Sequence, residues 1–153
     1  MFSVEASRVV PYPPIRVFEL VRDCDALPRW CEVVRLADDT LAWLITIPGV
    51  TTRLRPRNVA IDADHLTAVH EASDDSVTIR WELTVGEHFE GASLHVRTSI
   101  DFTGPHEHQI AICRMASREA ADDLARMAGL LDAGWRTPDA RCQTLRERDK
   151  GAP

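Results

Sequence analysis

Two periodicities divide the chain. From Glu107 to Ala133 small and apolar residues recur at helical spacing. Ile110, Cys113, Ala116, Ser117, Ala120, Ala121, Leu124, Met127, Ala128 and Leu131 fall on one side at about 100° per residue, and Arg114, Arg118, Glu119, Asp122, Asp123 and Arg126 gather opposite. The spacing predicts one amphipathic helix of roughly 40 Å. Gly104-Pro105 breaks the chain before it, Glu107 complements the positive N-terminal dipole, and Gly134 followed by Pro138 supplies the stop. The middle of its buried face is small, at Ser117, Ala120 and Ala121. Either another element packs closely there, or space is left for a ligand.

Between Glu32 and Thr103 the period is two. Val77, Ile79, Trp81, Leu83 and Val85 alternate with Thr78, Arg80, Glu82 and Thr84, and Leu94, Val96, Thr98, Ile100 and Phe102 alternate with His95, Arg97, Ser99 and Asp101. These are strands with one wet face, joined by a hairpin loop from Gly86 to Gly91, as Asp74-Asp75 joins the preceding pair. Upstream the expected strands are 33–36, 41–47, 51–61 and 66–72, separated by Asp38-Asp39, Pro48-Gly49 and 62–64. Before them, Phe2 to Val10 reads as a strand. Pro13 or Pro14 opens a helix through Arg22 on the stripe Val17, Phe18, Val21, and 26–31 holds one or two helical turns anchored by Trp30. The order is strand, two helices, six strands, long helix. Hairpin succession implies an antiparallel sheet, and a sheet wet on one face needs a cover on the other. The long helix is that cover, giving an α+β fold.

With 153 residues, 44% of them hydrophobic, the chain has the size of one domain. The expected domain spans 1–138, with 139–153 a loosely ordered tail dense in Arg, Asp and Glu. A net charge of −6, with Lys150 the sole lysine, argues against sequence-independent nucleic-acid binding. Cys24, Cys31, Cys113 and Cys142 form no CxxC pair, and no signal peptide or long apolar run is visible, so the expectation is a reduced cytoplasmic protein without membrane insertion. GxSxG, P-loop and GxGxxG patterns are absent. His106-Glu107-His108 has no third ligand at metal-site spacing, so neither metal nor other cofactor is expected.

The element order, together with Val9-Val10-Pro11-Tyr12-Pro13-Pro14-Ile15-Arg16-Val17-Phe18-Glu19-Leu20-Val21-Arg22-Asp23 and the following Leu27-Pro28-Arg29-Trp30, resembles the START-like (SRPBCC, Bet v 1-like) superfamily. Within it the chain is most similar to the actinobacterial polyketide cyclase/dehydrase group, which includes aromatase/cyclases. The resemblance runs from Ser3 to about Pro138. It implies a helix-grip fold, in which a curved seven-stranded antiparallel sheet wraps the C-terminal helix around an elongated hydrophobic cavity. It also implies a small hydrophobic ligand, and it admits an acyl carrier protein as a partner. Two functions are compatible with it: cyclisation or dehydration of a poly-β-keto or aromatic-forming intermediate, and non-catalytic carriage of a lipid, quinone or polyketide.

The resemblance nominates an arginine on a cavity strand, holding or polarising a poly-β-keto chain through guanidinium hydrogen bonds to developing enolate oxygens. The matching region is Thr51-Thr52-Arg53-Leu54-Arg55-Pro56-Arg57, and Arg57 is the matching residue. Arg53, Arg55 and Arg57 share one strand face, Pro56 withholds a ladder bond, and Val59 and Ile61 have the arginines' parity unless a bulge intervenes. The pattern leaves open whether Arg57 faces cavity or solvent. His70 shares a parity with Leu66, Ala68 and Ala72 on the inward side, either as a proton-moving group or as a hydrogen-bonded wall residue. Trp30, Trp43 and Trp81 are candidates for a flat apolar wall or for ordinary core. Thr98, polar on an apolar inward row, joins them, as do Ala120, Ala121 and Leu124 from the helix. The expected cavity measures a few hundred Å³.

Overall fold

The computed structural model describes residues 1–36, 42–47 and 50–136. In chain order the elements are β1 (Phe2–Val10), α1 (Pro14–Arg22), a short 3₁₀ turn at Cys24–Ala26, α2 (Leu27–Trp30), β2 (Val34–Leu36), β3 (Trp43–Ile47), β4 (Val50–Asp62), β5 (Thr67–Ser73), β6 (Val77–His88), β7 (Gly91–Phe102) and α3 (His106–Asp132). All strand pairs are antiparallel, in the order β1-β7-β6-β5-β4-β3-β2. The long helix touches β1 and β7 at one side of the sheet and β3 near the other, so the sheet curls around it. This is the helix-grip arrangement that the family resemblance implied. Leu41, the linkers at 38–39 and 48–49, and the expected boundary and tail from Pro138 onward lie outside the described residues.

Local chemistry explains where the elements stop. Pro14 opens α1, where its missing N–H costs nothing. The 3₁₀ turn is capped by Asp23, whose Oδ1 accepts from the Asp25 N–H at 3.0 Å. Helix α3 ends in a Schellman arrangement: Gly134 takes φ +79°, its N–H donates to Leu131 O, and the N–H of Trp135 reaches back to Leu130 O. The indole of Trp135 is buried beside that turn.

Two expectations need correction. The loop from Gly86 to Gly91 shrinks to the two residues Phe89 and Glu90, because β6 runs to His88 and β7 starts at Gly91. Gly86 lies within the strand, where a Cβ would come within 2.7 Å of Ser93 Oγ. Gly91 holds φ +142°, with a Cβ there reaching to 2.3 Å from Val10 O. The second correction concerns α3, which is rotated from its expected orientation. Ile110, Ser117 and Ala121 are exposed, whereas Ile112, Met115 and Asp123 are buried with Ala116, Ala120, Leu124, Met127, Ala128 and Leu131.

A bulge settles the arginine face. The β4–β5 register shifts between Asn58 and Ala60, leaving Val59 as the extra residue. Leu54 therefore points inward in front of the bulge and Ile61 packs on the core behind it, while Arg53, Arg55 and Arg57 all point to solvent.

Candidate functional site

Inward residues from neighbouring strands lie side by side in rows across the concave face. Phe2, Ile100 and Ile79 form one row, and Val4, Thr98, Trp81 and His70 form the next. Above these rows lie Met115, Ala116, Glu119, Ala120 and Asp123 of α3, and Cys31 and Val33 of the segment after α2 close the side. The space that these described residues line is about 30 Å³, the room of a single water. At this place it is far smaller than the expected few hundred Å³, because Trp81, Met115 and the flanking isoleucines fill what the small residues of the helix leave.

The polar groups on this wall are concentrated at one place. Asp123 is only 7% exposed. Burial raises its pKa to about 7, against the lowering effect of Arg126 and with a further rise from Glu119. Arg126 Nη1 donates to Asp123 Oδ1 at 2.9 Å and to Glu119 Oε2 at 3.3 Å, and its Nη2 donates to Glu32. One guanidinium thus ties two carboxyls of α3 to the segment after α2. The Cys31 thiol borders the same space as Asp123, and burial, with the adjacent carboxyl adding to it, pushes that thiol well up and keeps it protonated. Thr98 faces the same space from β7, directly across from Trp81 of β6.

Of the residues nominated from sequence, Trp81, Thr98 and Ala120 come together at this cavity. Trp30, Trp43 and Leu124 are buried core; Trp43 packs edge-on against Trp81, ring centroids 5.8 Å apart, and so backs the wall. Ala121 faces solvent. Arg57 lies on the convex face, its side chain 64% exposed, and donates from Nε to Glu71 Oε1 at 3.0 Å.

His70 is fully buried, with Nε2 2.7 Å from the Val21 carbonyl and Nδ1 2.7 Å from the Asn58 side-chain oxygen. A carbonyl can only accept, so Nε2 carries a proton. The ring brackets the end of α1 onto β5 and β4, with both nitrogens engaged.

Sequence reasoning missed Asp123 by placing it on the wet side of the helix. The signal was present, since Asp123 stands in the run Ala116, Ala120, Asp123, Met127 at three- and four-residue spacing, an acid in an otherwise apolar stripe.

Residues 1–132 match the family described as polyketide cyclase / dehydrase and lipid transport. No curated protein matches the chain. Among solved structures, TTHA0849 from Thermus thermophilus superposes with a TM-score of 0.70 at 16% identity, covering 88% of this chain and 100% of that one. Ara h 8.0201 gives 0.55 at 13%, covering 86% and 98%. DynU16, a protein of the dynemicin biosynthetic locus, gives 0.57 at 18%, covering 86% of this chain and 48% of that one. These likenesses show a shared Bet v 1-like helix-grip fold. With the match extending from the first strand to the last residue of α3, the chain belongs to the polyketide cyclase/dehydrase and lipid transport family.

Proposed function

We propose that the chain binds a keto- or enol-bearing hydrophobic molecule between the sheet and α3. There it promotes cyclisation or dehydration of a poly-β-keto or aromatic-forming intermediate, with Asp123 moving the proton. The observation that carries this reading is a buried carboxyl on the wall of an otherwise apolar cavity, beside a hydroxyl and an indole. A carboxyl titrating to about 7 is divided between acid and base at neutral pH, the condition under which one group both removes and returns a proton.

In the ring-forming step the Asp123 carboxylate takes a proton from the carbon between two carbonyls. The resulting enolate carbon forms a bond to a second carbonyl carbon, whose oxygen takes the proton back from Asp123. Loss of that hydroxyl with a neighbouring proton, as water, completes dehydration. Thr98 is placed to donate to a carbonyl oxygen, and Trp81 offers a flat apolar surface. A substrate enters by displacing side chains, of which Met115 is the most adaptable.

The test is to supply a poly-β-keto substrate from a minimal polyketide synthase and analyse products with the wild type and Asp123→Asn. The expected result is a changed product distribution with the wild type that is lost in the variant. A saturably bound ligand recovered unchanged from both proteins would replace catalysis by carriage of a lipid, quinone or polyketide.

A further inference from the structure

The space beside Asp123 has the room of one water, so an organic molecule reaches the carboxyl only where a wall gives way. The walls are unequal. Ile79, Trp81, Thr98 and Ile100 belong to β6 and β7, interior strands with a hydrogen-bonded neighbour on each side, and Met115 to Asp123 belong to unbroken turns of α3. Cys31 and Val33 belong to neither sheet nor helix. They sit in the three-residue turn between α2 and β2. Its backbone is held by the Cys31 N–H on Leu27 O at 2.9 Å, the Val34 N–H on Cys31 O at 3.1 Å and the Thr46 N–H on Val33 O at 3.2 Å. With so few bonds to part, this turn is the wall that yields at least cost. Trp30 and Val34, each 1% exposed, anchor its two ends in the core, so a movement of the turn stays between them.

Side chains alternate across the turn. Cys31 and Val33 face the space, and Glu32 faces solvent. Glu32, its side chain 67% exposed, pairs with Arg126, and among the described residues this is the ion pair that joins the turn to α3. When Glu32 lets go, Arg126 keeps Glu119 and Asp123 as partners on its own helix, so no buried charge is stranded. So exposed a pair holds weakly.

We infer that the turn Cys31–Val33 is the door through which a ligand reaches Asp123, and that Glu32 is its latch on Arg126. Cys31 and Val33 leave together as the plug, while the sheet and the backbone of α3 stay in place. The door rests on the reading of this space as the ligand's place; the opening of the turn does not.

Cys31 reports the opening in the intact chain. Its thiol is buried in the closed turn, and iodoacetamide reaches it when the turn moves. Cys24, equally buried in the 3₁₀ turn before α2 and outside the walls of this space, is the reference for global unfolding. Peptide mass spectrometry follows both. Glu32→Gln should speed Cys31 alkylation about two- to fivefold and leave Cys24 at its wild-type rate. Salt at about 1 M, which screens the pair, should speed Cys31 similarly in the wild type and have no such effect on the variant. In stopped-flow tryptophan fluorescence, association and dissociation of β-ketodecanamide should both quicken in Glu32→Gln by that factor with Kd unchanged, since a latch closed in both the free and the bound protein alters the barrier alone.

Equal Cys31 rates in the two proteins, or Cys31 and Cys24 rising together, overturn the door; the Asp123 site stands if the amide still binds. An unchanged association rate puts the entry elsewhere and overturns the door as well. If the amide binds neither protein, the door and the reading of the Asp123 cavity fall together.

Discussion

Arg126 Nη1 lies 2.9 Å from Asp123 Oδ1, one helical turn away, and still does not hold the carboxyl in the usual acidic range. Burial outweighs the ion pair because the same guanidinium is shared with Glu32 and Glu119. A single cation facing three carboxyls leaves the most buried of them only partly ionised at neutral pH.

This arrangement sets a pH dependence of stability. From the ordinary value of 3.8 up to about 7, the unfolded chain releases the Asp123 proton while the folded chain keeps it. The stability associated with the neutral carboxyl is therefore full below 3.8 and is lost as pH rises through about 7. At ~1.36 kcal/mol per pKa unit the loss is at most ~4 kcal/mol. Asp23, also raised by burial, acts in the same direction. Urea unfolding across this window should show wild-type stability falling with pH and a clearly shallower fall in Asp123→Asn. Equal slopes would mean that Asp123 does not retain its proton in the fold.

Removing the cation should move the same titration further. Arg126 lowers the pKa of Asp123, so Arg126→Gln raises it further. If Asp123 is the base of the reaction, the acidic limb of the kcat/KM profile, near 7 in the wild type, should shift upward in that variant. A variant with reduced activity but an unmoved limb would show that Arg126 serves the fold alone.

The contrast between what was and was not legible in the sequence has physical causes. Period-two alternation in β6 and β7 is strict, so Trp81 and Thr98 could be placed on the inner face directly. In β4 the bulge at Val59 adds one residue, and a single added residue reverses every later side chain; alternation by itself could not assign Arg57 a face. Helix α3 carries apolar residues on more than one face, with Ile110 exposed and Ile112 buried, so the apolar arc did not fix its rotation and Asp123 was assigned to the wrong side. The narrowness of the space beside Asp123 was not legible either, because it depends on how Trp81 and Met115 pack, not on which residues line the wall.

Arg57 and His70 should behave oppositely to a shared catalytic role. Arg57→Ala removes an exposed pair with Glu71, which Arg80 also approaches at 3.4 Å, and should change stability by less than ~1 kcal/mol with no effect on products. His70→Ala empties a fully buried position and strands the Val21 carbonyl and the Asn58 amide, at a cost of about 3 kcal/mol. Thermal unfolding with product analysis separates the two effects. Loss of activity in a fully folded Arg57→Ala protein would return the arginine face to the mechanism.

The neighbouring alanines of α3 provide the sharpest check on its rotation. Ala120 is 5% exposed and borders the cavity of about 30 Å³, while Ala121 faces solvent. A phenyl ring at Ala120 exceeds the available space and must push Trp81 or Met115 aside, so Ala120→Phe should cost ~1–3 kcal/mol and abolish any ligand-induced change in tryptophan fluorescence. The same substitution one residue later points into water and should fall within about 0.5 kcal/mol of wild type with binding intact. Urea midpoints and ligand titrations on the two variants decide the matter. If Ala121→Phe is the damaging one, α3 presents the other face to the sheet, Asp123 returns to solvent, and the proton-moving role assigned to it has no structural basis.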